Sequence, residues 1–280
     1  MHNRSRHGEN NMSGVMERTL AILERLALDV NGVPLATLAD ELNIPRSAAH
    51  RLLLELTEHG YVRQSRERGD YMLTTKLVSL GLNYLKTSGI IDLCQPVLDR
   101  LAASSGELVR LGVVDVDHLT WVAKAQGATY GLRYDPDMGI DARLSCTSSG
   151  LAWLATLSDD DALQVVAREG GLGKPEQYGP NAPATPTALL KVLAQVRKLG
   201  YALTVETYSP GVTAVAVAVV PPGRGAVGVV TISGPLVRLT EDKMRALVPE
   251  LQSAAADLAA ASAASPLFNR AYSSESAPAH

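Results

Sequence analysis

Long apolar runs are missing from this 280-residue sequence. The longest, Val212 to Val220, interleaves valine with alanine and stops at Pro221-Pro222, well short of the roughly 18 residues a membrane-spanning helix needs. No membrane association is expected. The opening segment, MHNRSRHGENNMS, is polar and lacks the apolar centre of a secretory leader. Cysteine is scarce: Cys94 and Cys146 are the only two. Two isolated cysteines fit reduced interior residues better than a disulfide framework or a metal site. Together these absences predict a cytoplasmic protein. A strong net charge is also missing. The formal value is −3, so bulk electrostatics announce no nucleic-acid partner.

Catalytic signatures are absent too. There is no GxSxG elbow, no HExxH and no CxxC. GGLGKP looks like a fragment of a phosphate-binding loop, but Arg168 stands where the leading glycine belongs and Pro175 where serine or threonine must follow the lysine. His50 and His59 lie nine residues apart, too far to ligate a metal from adjacent helical turns. Asp115, Asp117 and His118 read as a turn, Trp121 and Trp153 as core or pocket wall, and Cys146 as apolar filler or pocket lining. No enzyme activity, cofactor or metal is expected.

What is present is an uneven distribution. Residues 1–88 hold 11 Lys+Arg against 10 Asp+Glu and four of the six histidines; the other 192 residues hold 15 against 19. The length suits two domains. Helical periodicity marks 13–29, with Ser13 placed to cap it, then 35–42, then a helix opening at Pro45-Arg46 and stopping at Gly60. YVRQSRERGDYML alternates about a polar turn, so a two-stranded hairpin follows. Another helix covers 74–87, and Thr87-Ser88-Gly89 reads as a domain joint. Beyond it the pattern predicts a helix over 90–105 and a hairpin about Asp115–Asp117. Helices then start at Thr147, at Ser158 with Asp161 three residues on, and at Thr185-Pro186. Three strands and a last helix from Thr240 to Ala264 complete it. Hairpin-joined strands beside helices predict an α+β fold with an antiparallel sheet.

Two short helices joined by the glycine-free break Asn43-Ile44-Pro45 fit a helix-turn-helix. At about 100° per residue, Ala49, Leu52, Leu53 and Leu56 share one face of the second helix. Ser47, His50, Arg51 and Glu58 point the other way, with Leu54 an apolar exception. A recognition helix places its first turns against base edges, so Arg46, Ser47, Ala48, His50 and Arg51 are candidate DNA contacts. Arg63, Arg66 and Arg68 on the hairpin could track the backbone or the minor groove. A small helical domain with a solvated charged face remains the alternative on these grounds.

The stretch ERTLAILERLAL…VPLATLADELNIPRSAAHRLLLELTEHGYVRQSRERGDYMLTTKLVSLG closely resembles the DNA-binding domain of the IclR-type (isocitrate lyase regulator) transcription factors. RLSCTSSGLAWLATL, VRKLGYALTVETYSPGVTAVAVAVV and GAVGVVTISGPLVRLTEDKM continue the resemblance, which runs from about residue 13 to 264. It implies a winged helix-turn-helix over 13–73, a linker helix over 74–89 and a GAF-like effector domain over 90–264. That domain would hold a curved antiparallel sheet flanked by helices; outside the resemblance, 1–12 is expected to be disordered and 265–280 to be a flexible tail. The resemblance further implies a homodimer or dimer of dimers on a palindromic double-stranded operator, dimerising through the N-terminal and linker helices.

The resemblance places an effector pocket between the sheet and residues 144–152. Thr147 can cap a helix whose first amides, with the Ser148 and Ser149 hydroxyls, would receive a carboxylate or another acceptor. Thr204, Ala214, Thr231 and Ser233 match the family's opposite wall. Three positions depart from the family pattern. Thr204-Val205-Glu206-Thr207 replaces an acidic run, Ala214 stands for a frequent cysteine, and Ser145 for a common histidine. The pocket is therefore expected to have less polar reach on one wall and more room, suiting an effector larger and less charged than a two- or three-carbon keto acid, such as an aromatic acid or a neutral derivative. A ligand-responsive regulator, acting as a repressor, is the reading; a small-molecule-binding module or hydrolase without DNA binding is the alternative.

Overall fold

A computed structural model describes residues 14–136, 142–172 and 177–268. The chain divides into two compact units between Tyr84 and Leu85.

The first unit begins with α1 (Val15–Ala27), α2 (Leu35–Glu41) and α3 (Arg46–Glu58), followed by a hairpin of β1 (Val62–Gln64) and β2 (Tyr71–Leu73). Helix α1 is capped by Gly14 without a side-chain bond, not by Ser13, which lies outside the described residues. Ile22 and Leu26 of α1, Leu38 and Ala39 of α2, and Ala49, Leu52, Leu53 and Leu56 of α3 meet in one core with Val62 and Tyr71. That is the apolar face predicted for α3, held by buried leucines. Between α2 and α3 the chain turns at Asn43, whose φ of 52° is left-handed. Asparagine tolerates that region because its side chain is short and polar. The Ile44 N–H then reaches back to the Ala39 carbonyl at 2.9 Å, closing the turn without glycine.

Helix α4 (Lys76–Ser88) runs out of this unit, and α5 (Ile90–Ser105) starts after Gly89 at φ 64°. The second unit holds a five-stranded sheet of β3 (Leu108–Asp115), β4 (His118–Gln126), β5 (Ala202–Val205), β6 (Val212–Val219) and β7 (Gly228–Pro235). The order is β4-β3-β7-β6-β5 and every pair is antiparallel. Helices α6 (Ser148–Leu154), α7 (Asp159–Arg168) and α8 (Pro186–Leu199) cover one face. Helix α5 and α9 (Glu241–Ala261) cover the other.

The sequence of β6 explains the asymmetry of those faces. Val215, Val217 and Val219 fill the α5/α9 side, whereas Ala214, Ala216 and Ala218 alternate with them. Period two sorts bulk to one face and small side chains to the other. Ala216 packs on the α6 side. The thin alanine row leaves room there for a short helix and a cavity.

The flexible tail expected from residue 265 does not begin there. Ser265 is fully buried and its hydroxyl donates to the Ser88 carbonyl at 2.7 Å; Phe268 is fully buried among the core side chains of α5, β7 and α9. An apolar anchor at Leu267-Phe268 keeps this segment in the core, a signal outweighed in sequence by the polar residues beyond it. Residues 1–12, expected to be disordered, and 269–280, the rest of the expected tail, lie outside the described residues.

Candidate functional site

Two surfaces carry the expected chemistry, one in each unit. In the first, Arg46, Ser47, His50 and Arg51 are exposed on α3 while the leucines behind them are buried. Ala48 is half-buried against the core. Pro45 precedes the helix and supplies no side-chain cap; its carbonyl takes the Ala48 and Ala49 amides at 2.9 and 3.0 Å. The amides of Arg46 and Ser47 come before these, at a helix start whose dipole favours a phosphate. Arg46 also pairs with Asp40 at 3.5 Å, with both side chains mostly exposed. Such a contact is weak and exchangeable. Arg63 on β1 and Arg66 and Arg68 in the turn are exposed, and the Gln64 side-chain amide donates to the Gly69 carbonyl at 2.8 Å to brace that turn.

In the second unit, Thr147, Ser148, Ser149, Thr204, Ala214, Thr231 and Ser233 line one cavity between α6 and the sheet. The register explains the convergence. Thr204 pairs with Ala214, Ala214 with Ser233, and Thr231 with Arg110, so β5, β6, β7 and β3 contribute a continuous cross-strand patch. Thr147 caps α6 by accepting from the Gly150 amide at 3.1 Å. Ser149 and Thr231 hydroxyls lie 2.6 Å apart and tie α6 to β7. Thr204 and Thr207 donate to the Ala214 and Cys146 carbonyls at 3.3 and 2.5 Å.

Residues not anticipated at this site are Arg110, Tyr134, Thr207, Tyr208, Val212 and Thr213; Trp121, anticipated only as core or wall, also lines it. Arg110 changes its character most. It is 8% exposed and its Cζ sits 3.9 Å above the Trp121 ring centre. A β-bulge creates that stack. Leu111 pairs with Ala123 but Gly112 pairs with Trp121, so Val122 is an extra residue. The extra residue turns Trp121 onto the Arg110 face. The expected loss of polar reach concerned one wall, where Ala214 stands on β6; on β3 a guanidinium that was not anticipated faces the cavity. A single arginine inside the apolar strand LVRLGVV was the sequence signal that could have found it.

Burial pulls the Arg110 pKa down and pushes the Tyr134 phenol up, and the two side chains are hydrogen-bonded to each other. The phenol therefore stays neutral and does not cancel the cation. Among the described residues the Arg110 Nε has no hydrogen-bond partner and no carboxylate forms an ion pair with this guanidinium. Asp135, whose charge also acts on Arg110, is held by Lys124 and Arg133 at 2.7 and 3.1 Å.

Cys146 is buried beside the pocket rather than lining it, and burial pushes its thiol up to about 12, as it does that of Cys94. Thiolate is the reactive form, so both are expected to be inert. A chromogenic disulfide reagent at about pH 8 should release no colour from the native protein and two equivalents after unfolding in guanidinium. Fast labelling of the native protein would show that one of these side chains is reachable. Among the described residues, no group of three or more His, Cys, Asp or Glu could hold a metal, and no helix is long and apolar enough to cross a membrane.

Two family models match the chain. The IclR helix-turn-helix domain matches residues 15–66, and the C-terminal domain of the bacterial transcriptional regulator IclR matches 82–260. The chain is 29% identical over 230 residues to the transcriptional repressor IclR of Escherichia coli K12, covering 82% of each protein. Among solved structures, an IclR-type transcriptional regulator from a Silicibacter species aligns with a TM-score of 0.74 at 23% identity, over 88% of this chain and 95% of that one. An IclR homolog from Microbacterium hydrocarbonoxydans, solved with 4-hydroxybenzoate, gives 0.69 at 19%, over 88% and 98%.

Proposed function

The chain belongs to the IclR family of bacterial transcriptional regulators, and from that premise we propose which residues read DNA, which receive the effector and how the two are coupled. As a member it is a DNA-binding regulator with an N-terminal helix-turn-helix and a C-terminal effector domain. The exposed row Arg46, Ser47, His50 and Arg51 enters the major groove, with Ala48 close enough to a base edge for apolar contact. Arg63, Arg66 and Arg68 follow the phosphates from the hairpin. The observation that carries this reading is the split of α3 into a fully buried leucine face and an exposed polar one.

The protein acts on a palindromic operator as a dimer or dimer of dimers. Support comes from apolar side chains that solvent would otherwise touch. Val15, Met16 and Leu20 of α1 and Val78, Leu80, Leu82 and Tyr84 of α4 are exposed, far more apolar surface than two short helices need to show. A second copy covering these helices sets two recognition helices about one DNA turn, or a multiple, apart. The organisation proposed is a helix-turn-helix domain at 13–73, a linker helix at 74–89 and an effector domain from 90 to 264, in the cytoplasm. The effector is a small organic acid or derivative held by Thr147, Ser148, Ser149, Thr204, Ala214, Thr231 and Ser233. The Microbacterium homolog's aromatic acid belongs to the same class. The effector shifts operator affinity only through its different affinity for the DNA-bound and released arrangements. Repression is the proposed sign, in keeping with the E. coli repressor.

Fluorescence anisotropy with DNA from upstream of the protein's own gene tests this. Binding should be specific for a palindromic segment and weaken steeply between about 50 and about 200 mM salt, because phosphate contacts release counterions. Binding that ignores both sequence and salt would refute it.

A further inference from the structure

We propose that Arg110, stacked on Trp121, is an anion anchor on the sheet side of the effector pocket, and that the effector is a hydroxy- or oxo-monocarboxylate whose acid group binds there. This rests on the pocket being the effector site. A buried guanidinium without a carboxylate partner is costly, since taking a cation from water is unfavourable unless something of opposite charge replaces the hydration. Here the described surroundings offer an aromatic face, a neutral phenol and an unpartnered Nε. The stack fixes the plane of the guanidinium, which suits a bidentate carboxylate.

The rest of the lining sets the other end of the ligand. All five of its threonine hydroxyls are already engaged: Thr147 with Arg143 and Gly150, Thr213 with Leu239, and Thr204, Thr207 and Thr231 as described. Ser148 and Ser233 are the buried lining hydroxyls without a partner among the described residues, whereas the Tyr208 phenol, also in the lining, is exposed. They are neutral, can donate or accept, and sit on α6 and β7. They suit one neutral oxygen, a hydroxyl or a carbonyl, and give a second anionic group no cation. A dicarboxylate is therefore disfavoured, and so is an uncharged ligand.

The full-length protein is titrated calorimetrically with lactate, pyruvate, 3-hydroxybenzoate and 4-hydroxybenzoate, each beside its carboxamide. At least one acid should bind, and its carboxamide should bind about tenfold more weakly or worse. Arg110→Met should abolish the preference for acid over amide, and Arg110→Lys should keep part of it. Ser233→Ala should weaken hydroxy- and oxo-acids without affecting the unsubstituted analogues benzoate and propionate. Arg110→Met should also melt no lower than the wild type without ligand, because it removes a lone buried charge. Equal binding of acid and amide, unchanged acid binding by Arg110→Met, or no binding by any acid of the panel would overturn the proposal. Operator binding is measured separately without any acid. Its failure would sink the regulator reading and leave the anchor standing; failure of the acid preference with operator binding intact would do the reverse.

Discussion

Arg51→Ala weakens operator binding by about 1–3 kcal/mol, roughly five- to 150-fold, and relaxes the preference for one base pair. The side chain is exposed on the outer face of α3, whereas the flanking Leu52 and Leu53 are buried. Its removal leaves the leucine core intact, so the melting temperature should stay within about a degree of wild type, as for surface substitutions generally. The hairpin arginines should behave differently. Arg63→Ala, or Arg66→Ala with Arg68→Ala, should weaken all DNA alike and reduce the salt slope by about one for each phosphate that no longer meets an arginine. Anisotropy titrations on operator and scrambled duplexes, at several salt concentrations, separate the two classes. An Arg51→Ala protein that binds operator as tightly as wild type would remove α3 from the groove.

The two faces of α3 were legible in the sequence, because they depend on local periodicity. The 3.6-residue spacing of Ala49, Leu52, Leu53 and Leu56 fixes which side of α3 faces inward, and Pro45 and Gly60 fix its ends. The cavity beneath α6 was legible in a different way. Thr147, Ser148 and Ser149 were read from SCTSSG as a capped helix start, and Thr204, Ala214, Thr231 and Ser233 came from resemblance; strand register brings those four together beneath α6 at one cavity. What local pattern could not show was pairing between distant strands. Arg110 meets Thr231 only because β3 pairs with β7, with α6, α7 and α8 all intervening in the chain. Nor could alternation alone assign Trp121 to that face, since the Val122 bulge reverses the parity of β4. The buried end at Phe268 was hidden for a related reason. Two apolar residues before a polar tail carry no period, and their burial depends on tertiary contacts with α5 and α9.

Gly150→Ala should be among the most damaging single methyls in the effector domain, and it is the one that falls on the pocket helix. Glycine in a helix is normally a weakness, and alanine there is normally better by roughly 1 kcal/mol. Here a Cβ would lie 2.2 Å from the Leu144 carbonyl oxygen and 2.3 Å from its Cα, so steric conflict outweighs propensity. Leu144 cannot yield easily. Its side chain is buried at 1% exposure, and its amide is held by the Glu169 carboxylate at 3.0 Å. Helix α6 must therefore move instead, which breaks the 2.6 Å Ser149–Thr231 link and displaces the Ser148 hydroxyl. The loss should lie at or above the usual overpacking range of about 1–3 kcal/mol. That lowers the melting temperature of a unit this size by several degrees, at about 2–4 °C per kcal/mol. Affinity for an acid effector should fall with it. Operator affinity without effector should persist, because the core behind α3 shares no residue with the one beneath α6. Arg51→Ala and Gly150→Ala thus separate DNA binding from effector response, and a Gly150→Ala protein as stable and as responsive as wild type would mean that α6 is not pinned by its contact with Leu144.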